Sequence, residues 1–142
     1  MAAMLAACTE KTYEINDNNS ENEKQDEIIK YDMPIISCTP ERLEFSRVGE
    51  TKQALIEIQG YNGGEIKLES CWIEPIDGFI ISPTTWNSKH QSITIQYVGL
   101  SESFSYRSTS ICCWCSYYRS LVNGEVTSGG TNVGYLHIIV RK

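Results

Sequence analysis

Alternation with a period of two is the feature that most limits how this 142-residue chain can fold. Gln53-Ala54-Leu55-Ile56-Glu57-Ile58-Gln59 puts Ala54, Ile56 and Ile58 on one side of an extended strand, with Glu57 and Gln59 on the other. Glu65-Ile66-Lys67-Leu68-Glu69 repeats the pattern, and Ser92-Ile93-Thr94-Ile95-Gln96-Tyr97 does so again. Phe79-Ile80-Ile81-Ser82 is a short apolar run bounded by Gly78 and Pro83, and Tyr135-Leu136-His137-Ile138-Ile139-Val140 closes the chain. Successive side chains of a strand point to opposite faces, so such alternation builds sheets with one buried side. No stretch carries a sustained helical stripe.

Without helices to cover a sheet, the strands must bury their apolar faces against one another. The economical architecture is an all-β, immunoglobulin-like sandwich of about seven strands. Leu43, Phe45, Ile56, Ile58, Ile66, Leu68, Ile93 and Ile95 are expected in its inner layer, with Phe79 and Ile138. Asn62-Gly63-Gly64 predicts a tight turn between two strands, because Asn and Gly tolerate positive φ.

The strand residues also carry a family resemblance. Pro40-Glu41-Arg42-Leu43-Glu44-Phe45, Val48-Gly49-Glu50-Thr51 and Ile56-Glu57-Ile58-Gln59-Gly60-Tyr61-Asn62 resemble an immunoglobulin-like module common in Bacteroidetes surface proteins. Phe79 to Thr85 and Ile93 to Tyr97 continue it. The module is related in form to the hydin and major-sperm-protein domains. The likeness covers roughly Pro40 to Val98; beyond it this chain is longer, with three cysteines and Asn123-Gly124. The resemblance implies no catalytic residues. Modules of this kind serve as spacers, adhesive units or carbohydrate-contacting appendages.

Leu5-Ala6-Ala7-Cys8 resembles the lipobox of bacterial lipoproteins, in which the signal is cut before a Cys whose sulfur takes a diacylglycerol. The resemblance implies that residues 1–7 are the remainder of a signal peptide and that Cys8 is lipidated, placing the protein on the outer membrane or cell surface. From Glu10 to Asp32 eight carboxylates face only Lys11, Lys24 and Lys30, among many Asn and Gln. So polar and charged a stretch cannot bury enough apolar surface to offset its entropy, and residues 8–33 are expected to be a disordered acidic linker. The domain proper is then residues 34–142. The linker carries nearly all of the net charge of −6, and the part from Met33 onward is close to neutral. A neutral domain argues against nucleic acid as a partner, which calls for a basic face.

After Cys8 come Cys38, Cys71, Cys112, Cys113 and Cys115. On an extended strand Cys113 and Cys115 share one face, and Cys112 shares the other with Trp114. The strand ending at Cys71 can neighbour this one in a sandwich. A bridge from Cys71 to one of the three, with Cys113 the candidate, requires Cα atoms within about 7 Å. Small buried free thiols are the equally open reading.

Other chemistry finds little footing. Cys112-Cys113-Trp114-Cys115 lacks the paired spacing of a zinc knuckle, and neither His90 nor His137 has a second His or carboxylate beside it in sequence, so no metal or other cofactor is expected. No phosphate-cradling glycine loop, nucleophile elbow or His-Glu-x-x-His occurs. A Cys–His pair assembled from Cys113 or Cys115 with His137 would lack a basic cluster or helix N-terminus to activate the thiol. The expectation is a protein that is not an enzyme.

The aromatic residues of the later half are the better functional hint. Trp72, which follows Cys71 into the connection toward Gly78, and Tyr117-Tyr118-Arg119 are the candidate contact surface, while Trp86 is expected to pack in the core. Two functions follow: a lipid-anchored envelope protein whose domain docks onto another envelope protein or gives structural support, or a surface module that binds glycans through exposed Trp and Tyr.

Overall fold

A computed structural model describes residues 27–100 and 108–141. Cys8 and most of the expected acidic linker lie outside these residues. Ten strands run along the described chain: β1 (Ile28–Lys30), β2 (Pro34–Thr39), β3 (Arg42–Phe45), β4 (Thr51–Gly60), β5 (Lys67–Ile73), β6 (Phe79–Ser82), β7 (Thr85–Trp86), β8 (His90–Tyr97), β9 (Ser108–Val122) and β10 (Glu125–Val140).

The described residues make up two compact units, a small one of residues 27–29 and 121–125 and a large one holding the rest. In the small unit the Asn123 N–H donates to the Glu27 carbonyl at 3.4 Å. Asn123 and Gly124 both take positive φ, 52° and 81°, as a two-residue hairpin turn demands.

The large unit is an immunoglobulin-like β-sandwich. One sheet has the order β2-β4-β8-β6 and the other the order β3-β10-β9-β5-β7. β2 pairs antiparallel with β4, placing Cys38 opposite Ile56, whereas β3 runs parallel to β10, with Leu43 opposite Ile138. The chain changes sheets between Thr39 and Arg42, where Pro40 has no N–H to continue a ladder.

The alternating residues fill the space between the sheets. Phe45, Ile56, Ile58, Ile66, Phe79, Ile93, Ile95, Leu43 and Ile138 are all buried. Phe45 meets Phe79 edge-on at 5.4 Å, and Tyr97 lies tilted against Phe79 at 5.2 Å. Around Ile58 a second cluster gathers Ile66, Cys71, Cys115 and Tyr117. Leu68, expected inside, is only partly buried. The pairing of β9 with β5 slips between Ser116 and Tyr117, whose partners are Ser70 and Leu68, so Glu69 is an extra residue. Such a bulge interrupts the strict in–out rhythm that the sequence predicts.

Asn62-Gly63 forms the expected turn between two strands, with φ of 58° and 76°, and it joins β4 and β5, which belong to opposite sheets. Two further expectations change. The last strand begins at Glu125, ten residues before Tyr135, because the polar stretch Glu125–Gly134 pairs with the far half of β9. Finally, the end of the expected linker is ordered: Tyr31 donates its N–H to the Arg119 carbonyl and Asp32 to that of Glu65, each at 2.8 Å. Backbone pairing secures these residues where their side chains have little apolar surface to bury.

Gly134 lets β10 pass close to β2. A Cβ there would stand 2.7 Å from Cβ and Cγ2 of Ile36 and 2.9 Å from its carbonyl oxygen. Two residues away, the Asn132 side-chain amide donates to the Pro34 carbonyl. A contact and a hydrogen bond thus tie the two sheets at one point.

Candidate functional site

The two sides of β5 and β9 differ sharply. Cys71 and Ile73, and Cys113, Cys115 and Tyr117, point inward and are buried. Trp72, Cys112, Trp114, Ser116 and Tyr118 alternate with them on the outer side and are half-buried. Trp72 is the direct cross-strand partner of Trp114, and their rings stack at 6.4 Å between centroids with only 11° between planes. Aromatic partners of this kind add about 0.5–1.5 kcal/mol beyond the area they bury.

Along the same face the chemistry becomes polar. Ser116, next after Trp114 on the outer side, donates its hydroxyl to Glu69 Oε1 at 2.9 Å. The bulge is what brings Glu69 to this point. Tyr118 follows, opposite Lys67, and borders an open groove of about 430 Å³ lined also by Glu69, Asn87, Ser88 and Lys89. A stacked indole pair, a hydroxyl–carboxylate pair and a phenol beside an amide-and-lysine groove therefore lie in one strip.

The sequence candidates divide on this geometry. Trp72 lies within β5, not in the following connection, and the sheet holds it flat against Trp114. Tyr118 shares the face, and Arg119 is exposed with its guanidinium 5.7 Å from the Tyr117 ring. Tyr117 itself is not a surface residue: it is 1 % exposed, and its hydroxyl is buried without a hydrogen-bond partner. The strict alternation of β9 sends it inward beside Cys115. Trp86 packs partly buried against both core clusters, as core packing predicts.

Trp114 is the residue that the sequence alone does not single out. Its place between two inward cysteines signals an outward side chain, but its partner becomes visible only when β5 and β9 are in register.

The five described cysteines are free thiols. Cys71 stands opposite Cys115, while Cys113 stands opposite Ile73. The Cys71–Cys113 bridge expected as one alternative is therefore not formed. The Cys113 thiol instead hydrogen-bonds that of Cys38, on the opposite sheet. This bond holds the Cys38 thiol below its usual range and raises that of Cys113. Burial pushes the Cys71 thiol up to about 12 and that of Cys115 to about 11. Burial also raises Cys112, on the outer face.

The histidines sit apart from these thiols. His137 is on the outer side of β10 with Nδ1 3.1 Å from Ser110 Oγ, whereas Cys113 and Cys115 face the interior. A Cys–His pair is thus not assembled. His90 begins β8, exposed, with Nδ1 3.3 Å from Glu57 Oε2. Among the described residues no group of three or more His, Cys, Asp or Glu gathers to hold a metal, and no helix is long and apolar enough to cross a membrane.

Compared with known proteins, the sequence matches no protein-family model and no curated relative.

Proposed function

We propose that this chain is a non-catalytic, lipid-anchored protein of a Bacteroidetes-type envelope, held at the outer membrane or cell surface through Cys8. Its immunoglobulin-like sandwich docks onto another envelope protein through the outer side of β5 and β9. The observation that carries this reading is the stacked Trp72–Trp114 pair. Rigid aromatics of large area, half-exposed and bordered by polar groups, are what centre the energetically dominant patch of a protein interface. Each indole has only two side-chain torsions, so fixing it in a complex costs little entropy.

Co-purification from detergent-solubilised envelopes tests the docking. The wild-type chain should retain a defined partner that the Trp72→Ala/Trp114→Ala variant loses. Retention of the same partner by the variant would remove this surface from the account. Mass spectrometry of the native N-terminus tests the anchor separately, by the presence or absence of an acyl mass on Cys8.

A second reading, a glycan-binding module, is favoured by one specific arrangement. The indole pair is continued by the Ser116–Glu69 hydrogen bond and by Tyr118 with its polar groove. Sugars present apolar ring faces that stack on indoles and hydroxyls that pair with carboxylates and amides. Binding on a glycan array that falls with both Trp72→Ala and Tyr118→Ala selects this reading, and silence across the array selects the first.

A further inference from the structure

We infer that the cleft over β3, β10 and the start of β9 binds a tetrahedral oxyanion, a phosphate or sulfate group, through Arg42, His137 and Ser110. The three residues stand on three neighbouring strands of one sheet. His137 is the direct partner of Arg42 in the parallel pairing of β10 with β3, and its backbone N–H donates to the Glu41 carbonyl at 3.0 Å. On the other side, Ser110 Oγ lies 3.1 Å from His137 Nδ1. All three line a single cleft of about 320 Å³, together with Ser108 and Thr109. Alternation turns Leu43 and Ile138 into the core, so Arg42 and His137 stand exposed on the outer face.

Every polar side chain lining the cleft is able to donate a hydrogen bond. Arg42 brings a fixed positive charge. One hydrogen lies between Ser110 and His137. If the hydroxyl supplies it, the ring carries its own proton on Nε2; if the ring supplies it, the hydroxyl hydrogen is free. In either arrangement the pair keeps a donor for a ligand. Among the described residues no carboxylate lines the cleft. Glu44 is 3.7 Å from Arg42 Nη2, but Arg141 holds it closer, at 2.7 Å through Nε and 3.3 Å through Nη2. Two guanidiniums thus share one carboxylate, and Arg42, with its side chain 61 % exposed, keeps charge and N–H groups to offer.

Donors on three strands select the shape of the anion. A phosphate or sulfate ester presents three free oxygens, one for each donor, and a charge that the guanidinium matches. A carboxylate has two oxygens in one plane and would leave one donor unfilled. Strand spacing puts Arg42 and Ser110 roughly 10 Å apart at the backbone, and the long Arg42 side chain can lean across His137 to close that gap. The site needs neither lipid on Cys8 nor the Trp72–Trp114 surface, so it goes beyond the docking reading and does not depend on it.

Two-dimensional NMR of the full chain, titrated with inorganic phosphate and with inorganic sulfate at fixed pH and ionic strength, tests the site. The His137 ring and Ser110 amide signals should move together and saturate. Arg42→Gln should weaken binding roughly 10- to 100-fold, the loss expected for a charge-assisted hydrogen bond, and Ser110→Ala should weaken it less. Trp72→Ala should leave it unchanged, which separates this outcome from that of the docking experiment. The wild-type signals report binding directly, so the test stands even where a variant folds poorly. Glucose 6-phosphate and glucose 6-sulfate distinguish the two ester sources, and saturable shifts with either one support the site. Equal binding of acetate, unchanged affinity in Arg42→Gln, or His137 signals indifferent to both ions would overturn the inference.

Discussion

Trp72 and Trp114 stand opposite each other on adjacent antiparallel strands with their rings nearly parallel, directly outside the pairs of core residues that flank them in sequence. One register therefore fixes two things at once: which cysteines meet inside and which aromatics meet outside. A slip of one residue would exchange the two faces, putting indoles into the core and thiols into water.

Coupled indoles should give this protein a spectroscopic signature. Two rings at 6.4 Å form an exciton couplet in the far-ultraviolet circular dichroism, and either Trp72→Ala or Trp114→Ala should erase it. The single variants should lose more stability than the ring pairing itself contributes, about 0.5–1.5 kcal/mol, because each also gives up the apolar area that a half-buried indole covers. A couplet that persists in either variant would mean that the rings do not stack in solution.

Core and surface isoleucines should separate cleanly. Ile93 is fully buried and Ile93→Ala should cost about 2–5 kcal/mol in urea denaturation. Ile80, 57 % exposed on β6, should tolerate the same change within about 0.5 kcal/mol. Ile58→Asp places a charge in the second core cluster and should unfold a domain whose whole stability is about 5–15 kcal/mol. Equal costs at Ile93 and Ile80 would refute the assigned strand faces.

The tie between β10 and β2 should respond to a single methyl. Gly134→Ala drives a Cβ against Ile36 and its carbonyl, and the overpacking should cost about 1–3 kcal/mol. Asn132→Ala removes the side-chain bond to the Pro34 carbonyl and should cost about 1 kcal/mol. Thermal melts of the two variants check both numbers, and an unchanged Tm for Gly134→Ala would show that the sheets are further apart at this point.

Alkali should destabilise the protein in part through its buried thiols. The folded-state pKa values of Cys71 and Cys115 are raised from the ordinary thiol value of 9.0 to about 12 and about 11. A raised value means that the unfolded chain releases these protons first, so the contribution to stability is complete below pH 9 and is lost as the pH climbs through 11 to 12. Denaturation midpoints measured from pH 8 to pH 11 should fall steadily, and the fall should be shallower in Cys71→Ala and Cys115→Ala. A midpoint independent of pH over this range would place these thiols in contact with water.

Much of the sandwich is legible in the chain because period-two alternation is a local property. Gln53 to Gln59 and Ser92 to Tyr97 declare which residues turn inward, and Ile56, Ile58, Ile93 and Ile95 do so. The bulge at Glu69 is not legible, because an extra residue on β5 has meaning only against the partner strand. The reach of β10 back to Glu125 is hidden for a related reason: Glu125–Gly134 is polar and rich in glycine, and its strand form comes from pairing with β9 and not from its own preferences. The candidate contact surface is legible in part: Trp72 and Tyr118 stand outward, but alternation turns Tyr117 inward, and Trp114 needs its cross-strand partner to be recognised.

What the sequence by itself determined is the strand character of the chain and the inward sets of β4 and β8, because the pleat converts residue order directly into facing. Only the tertiary structure decided which strands became neighbours. It thereby set Trp72 on Trp114, Cys71 against Cys115 and Cys38 against Cys113, because contacts between residues far apart in the chain depend on register and layer packing, which no local pattern encodes.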